Sequence, residues 1–198
     1  MPTEEVTTTC HQMVFVGHNR LLIATPKFTV QLLDLAGETA RLVHTFSSDD
    51  DKQFHLEDSV HLMDCSRDGR YAAIADHRNQ VLVLDLEALA VHSVLPRYQS
   101  HPTALAFHPR GGLLVVAYSD HKIVEYDVAS RRYTPFSKKL SDNLPTQWLN
   151  RSSTVRHITF DLRHPDVIIL HDDSLICTIN KNKVNIFHYC IVYSKVTR

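Results

Sequence analysis

The feature that most constrains this chain is an internal repeat. Residues 107–127 run from an aromatic strand end at Phe107 through a Pro-x-Gly turn at Pro109 and Gly111 to the apolar run 113–117. A polar corner holding Asp120 follows, and a second strand begins at Ile123 and closes on Tyr126 and Asp127. The same pattern stands 42 residues earlier, where Gly69 aligns with Gly111, Ala75 with Ala117, Val81 with Ile123 and Asp85 with Asp127. A first unit joins the series at an offset of 51, with Ala24 on Ala75 and Asp34 on Asp85. The acidic stretch 47–58 accounts for most of its extra length. A fourth, partial unit has Phe160 in the place of Phe107, a turn at His164-Pro165-Asp166, and strands predicted over 155–161, 167–170 and 174–179.

Each unit is a set of short runs rich in Val, Leu, Ile and Phe, punctuated by Gly, Asn and Pro, which marks antiparallel β structure. No segment sustains a helical apolar period, so no helix is predicted. A period of 40–45 residues with four strands per unit is the signature of propeller blades. The stretch 107–127 also resembles a WD repeat gap for gap, with Tyr126 where that family usually has Trp. The expected fold is therefore all-β, about four WD-repeat propeller blades in an incomplete propeller. Blades are expected at about 13–46, 59–96, 101–140 and 154–180, between an N-terminal tail 1–12 and a divergent tail 181–198. Within that tail, residues 183–196 alternate weakly and could form a final edge strand. Closed propellers have four to eight blades, and a lone blade cannot bury both sheet faces. An arc is expected, belonging to a longer protein and exposing a blade face at each end, with marginal solubility in isolation.

Composition removes several function classes. A net charge of -1 gives no sign of a nucleic-acid or membrane surface on charge alone. Cys10, Cys65, Cys177 and Cys190 are scattered without a C-x-x-C pair, which argues against a zinc site or disulfide scaffold and suits a reducing compartment. The acidic start Met-Pro-Thr-Glu-Glu is not read as a signal peptide, and the apolar runs are too short to span a bilayer. A soluble intracellular protein is expected.

Chemistry is sparse. Five glycines form neither a phosphate-binding loop nor a dinucleotide fingerprint, and no G-x-S-x-G elbow appears, so no enzyme is expected. The fourteen histidines include no H-E-x-x-H pair, and His108 and His164 read as turn residues beside proline. No metal, cofactor or small-molecule substrate is expected. Asp120 reads as a corner acceptor of backbone N–H groups. Residues 47–58 read as a solvated connection, with an acidic dock for a basic partner as the alternative. The remaining candidates form a loose basic cluster, Arg131, Arg132, Lys138 and Lys139, with Arg151 and Arg156 further on. These could neutralise phosphates, with stacking from Tyr133, Phe136 and Trp148, against a plainer reading as solvated loops at a blade edge. Trp148 itself is expected to pack over a blade edge, a partner contact being the sharper alternative.

One further likeness is more specific. The run from His61 to Asp76, residues 105–127, and residues 143–161 with Leu-Pro-Thr-Gln-Trp-Leu at 144–149 resemble the cirhin family. Its members are WD-repeat, small nucleolar RNA-associated subunits of the small-subunit processome. The resemblance covers about 55–180 and implies a nucleolar scaffold without catalytic residues. It would act in pre-rRNA transcription and 18S maturation, beside other WD-repeat subunits and pre-rRNA or a small nucleolar ribonucleoprotein. A peptide-binding propeller, such as a ubiquitin-ligase substrate receptor, is the competing reading, because fold alone does not decide function.

Overall fold

The computed structural model describes residues 10–142, 148, 150, 152–172, 175–182 and 187–192. They build four antiparallel sheets of four strands, each in the order of the chain. The first holds β1 (Gln12–Val16), β2 (Arg20–Ala24), β3 (Val30–Asp34) and β4 (Arg41–Phe46). The second holds β5 (Val60–Cys65), β6 (Tyr71–Asp76), β7 (Val81–Asp85) and β8 (Ala90–Val94). In the third are β9 (Pro102–Phe107), β10 (Leu113–Tyr118), β11 (Ile123–Asp127) and β12 (Arg132–Tyr133). The fourth comprises β13 (His157–Phe160), β14 (Val167–His171), β15 (Leu175–Asn180) and β16 (Phe187–Val192).

The repeat extends to the backbone. Phe28, Asn79 and His121 occupy equivalent positions between the second and third strands of successive sheets, and all three have positive φ. Leu89 and Arg131 do the same between the third and fourth strands. A left-handed residue other than Gly costs roughly 1–2 kcal/mol, so its recurrence at fixed positions shows that the hairpins impose it.

The sheets are blades stacked side by side. β1 lies against β5, β5 against β9 and β9 against β13, so the first strand of each sheet is innermost in the arc. An apolar core fills each seam. Leu22, Leu32 and Phe46 of the first sheet meet Ile74, Leu82 and Leu84 of the second. Val81 and Val83 then meet Leu105, Leu114 and Val116. Val115 and Ile123 meet Ile158, Ile168 and Ile179. Each aliphatic side chain sealed in this way contributes roughly 1.5–3 kcal/mol of burial, which explains why a blade is stable only beside another.

Two expectations change. A helix does form, α1 at Pro135–Asp142, directly after the two-residue strand β12. Pro135 suits a first helical turn, and Ser137 N donates to Thr134 O at 3.0 Å. Only Phe136 and Leu140 mark its apolar side, too few for a period to show; Leu140 is buried in the third seam with Phe136 against it. Second, the acidic stretch is only partly solvated: Phe54 and Leu56 are buried in the first seam, and Asp51 Oδ2 accepts Val91 N at 3.1 Å. The final edge strand read within 183–196 is present as β16, which pairs with β15 as the outer strand of the fourth sheet. Among the described residues, no helix is long and apolar enough to cross a membrane.

Candidate partner surfaces and a histidine cluster

The basic cluster sits at the outer edge of the third blade. Arg131 occupies the turn before β12, Arg132 pairs with Asp127 across the strands, and Lys138 and Lys139 lie on α1, which packs against β11. All four side chains are exposed. Trp148 is not among them. It is 3 % exposed in the third seam, and its indole N–H donates to His121 O at 3.4 Å. Of the two readings, the packing one describes it, since its ring faces are taken up by the core. Tyr133 and Phe136 are likewise packed against the seams. Arg151 lies outside the described residues, and Arg156 is exposed.

Behind this edge lies an ionic knot. Glu125 of β11 is buried and pairs with Lys181, which follows β15 in the next blade. Thr134 Oγ1 donates to Glu125 Oε1 at 2.8 Å, and the Lys181 ammonium stands 4.9 Å from the centre of the Phe136 ring. The pair therefore couples the third blade to the fourth through the base of α1.

Histidines tie the blades elsewhere. His61 Nε2 meets Pro102 O at 2.9 Å, His92 Nε2 meets Val128 O at 2.9 Å, and His108 Nε2 meets Pro165 O at 3.0 Å. Each bond runs from one blade to the next. Burial pushes the imidazoles of His61 and His108 below their ordinary values, since charge is penalised away from water. The WD-type network of His, Asp and aromatic ring is not assembled among the described residues. Asp120 accepts Lys122 N at 3.2 Å, as a corner acceptor should, while His101 turns to Asn79 Oδ1 at 3.0 Å.

Sequence spacing gave no hint of one cluster. His61, His77 and His101 come from β5, the β6–β7 turn and the lead-in to β9, and each offers a ring nitrogen within 4.8 Å of the others. Their rings stack, with centroids 4.5 Å apart for His61 and His77 and 4.4 Å for His61 and His101. His61 and His101 also line an open cleft with Thr103, Ser119, Arg156 and His157. A second cleft, between the turns of the second, third and fourth blades, contains Asp64, Cys65 and Arg67. Its thiol is not a poised nucleophile: burial pushes Cys65 up to about 12. Burial also raises Asp64, whose Oδ2 accepts Phe107 N at 2.7 Å.

Among the described residues, most of the exposed large apolar side chains lie on the first blade. Met13 and Phe15 are 55 % and 67 % exposed on the sheet face turned away from the second blade. The register continues this face across the sheet in the row Phe15–Leu21–Leu33–Leu42. Beside it, Gln31 keeps a buried side-chain oxygen without a hydrogen-bond partner.

Together these features define an arc of WD-repeat-type propeller blades, a class whose edges and faces hold partners. The chain is similar to the U3 small nucleolar RNA-associated protein 4 homolog of Mus musculus, 30 % identical over 173 residues. Those residues are 87 % of this chain and 25 % of the mouse protein. The homolog in Homo sapiens is 28 % identical over 164 residues, covering 82 % of this chain and 23 % of that protein. The U3 small nucleolar RNA-associated protein 4 of Schizosaccharomyces pombe is 28 % identical over 162 residues, with 76 % and 23 % covered. The chain thus spans about a quarter of the length of the curated relatives it matches. No protein-family model matches it.

Proposed function

We propose that this chain is a non-catalytic scaffold segment of cirhin type, acting in ribosome biogenesis within the small-subunit processome. The observation that carries this reading is the similarity to mouse, human and fission-yeast proteins named for association with U3 small nucleolar RNA. In this reading the chain serves pre-rRNA transcription and 18S processing in the nucleolus. Its partners are other WD-repeat processome subunits, together with pre-rRNA or a small nucleolar ribonucleoprotein reached directly or through those subunits. Arg131, Arg132, Lys138 and Lys139, exposed along the outer edge of the third blade, supply cations for phosphate contact.

Affinity purification of the tagged chain from cells, with nucleolar imaging in parallel, tests the reading. U3 small nucleolar RNA and processome subunits should be enriched, and the tag should concentrate in nucleoli. Recovery of ubiquitin-ligase adaptors without U3 RNA would overturn it in favour of a substrate-receptor propeller.

A further inference from the structure

We propose that His61, His77 and His101 form a site for a borderline divalent transition ion, zinc being the representative, that clasps the second blade to the third. Nothing in the scaffold role requires this site. Three imidazoles from three separate chain segments, each offering a nitrogen within 4.8 Å of the others, are the donor set such ions take.

Hydrogen bonds determine which nitrogens are available. A carbonyl oxygen can only accept, so His61 Nε2 carries the proton it donates to Pro102 O. In the neutral ring this leaves Nδ1 as a lone pair, and His61 Nδ1 is buried without a hydrogen-bond partner. Asn79 Nδ2 donates to Gln99 O at 3.1 Å, which turns Oδ1 toward His101. His101 Nδ1 therefore donates to that oxygen, leaving Nε2 unprotonated. Metal-binding histidines characteristically hold their second N–H on a carbonyl or carboxylate in this way, fixing the tautomer and aiming the other nitrogen.

The surroundings suit a cation. Asp76 is fully buried beside the cluster, and its oxygens accept the backbone N–H groups of Glu57, Arg78 and Gln80. It contributes negative charge without itself being a ligand. Asp58 adds a second carboxylate near His77, partly offset by Arg78, whose Nε lies 3.7 Å from it. Zinc–nitrogen bonds of about 2.0–2.1 Å place tetrahedral ligand atoms about 3.3 Å apart. Coordination therefore fans the stacked rings, and the exposed His77 is the one free to swing. The cleft that His61 and His101 line with Thr103, Ser119 and Arg156 leaves room for water as a fourth ligand.

Titration of the metal-free 198-residue chain with zinc chloride, and with cobalt(II) read by its ligand-field absorption, tests the site. One ion per chain should bind with the absorption of a four-coordinate site of three nitrogens and one oxygen. His77→Ala, an exposed change, should weaken binding at least ten-fold while leaving the melting temperature of the metal-free chain unchanged. Asn79→Gly keeps the left-handed backbone, removes the amide that orients His101, and should weaken binding about ten-fold or more. The chain has fourteen histidines, so weak binding elsewhere is its built-in control. Absence of stoichiometric binding, or undiminished binding in His77→Ala, overturns the proposal.

Discussion

Ile23 and Ile74 hold the same place in successive blades, yet Ile74 is sealed in a seam while Ile23 remains partly exposed. The relationship extends to their neighbours. Ala72, Leu82 and Leu84 are all fully buried against the first blade, and their counterparts Leu21, Gln31 and Leu33 lie on its outward face. The first blade thus presents the surface that, one blade later, forms a core. A sheet face this apolar marks a packing surface and not a solvated one.

The Glu125–Lys181 pair should behave as a buried ion pair. Removing one partner leaves an uncompensated charge, which typically costs about 3–5 kcal/mol. The Lys181 side chain is 16 % exposed, so Glu125→Ala should fall at the lower end, about 3 kcal/mol by denaturant unfolding. Replacing both residues, Glu125→Leu with Lys181→Met, should recover most of that loss.

Acid should loosen the metal-free arc. His61, His101 and His108 all have folded values depressed below 6.5, mainly by burial. The unfolded chain therefore binds more protons than the folded one once pH drops toward that value, so stability falls with falling pH. Loss should begin near pH 6.5 and grow as pH approaches the folded values. Asp64, raised by burial, acts oppositely, but only as pH falls from its raised folded value toward the ordinary carboxylate value. Unfolding free energies measured between pH 7.5 and 5.5 should decline, and the decline should be shallower in His108→Gln.

RNA affinity, where it is direct, should depend on charge and not on stacking. Replacing Arg131, Arg132, Lys138 and Lys139 by Ala should flatten the plot of log affinity against log salt by up to about 3 for a single strand. Trp148→Phe should lower stability and leave that slope unchanged, because its ring is enclosed in the third seam. Filter binding across a salt series separates the two effects.

Much of this architecture was legible in the chain. Period and punctuation located the strands because each hairpin reuses the same turn chemistry: Gly69 and Gly111 both adopt positive φ. Helix α1 was hidden because eight residues with two apolar anchors carry no measurable period. Packing was the expected role of Trp148, but an isolated aromatic in a polar stretch does not reveal which seam it enters. The pairing of β16 with β15 was equally silent, since alternation marks a strand without naming its neighbour. Least legible was the histidine cluster: metal motifs are recognised by local spacing, and these three residues meet only after two blades have stacked.

The outward face of the first blade exposes Met13, Phe15 and Leu42, an apolar surface on which association is expected. Phe15 is exposed and makes no seam contact, so Phe15→Glu should not harm the fold. Sedimentation velocity of the purified chain over a concentration series tests the claim most directly. Concentration-dependent association of the unaltered chain and a shift to monomer in Phe15→Glu are expected. A chain that sediments as a monomer throughout, indifferent to that substitution, would contradict it.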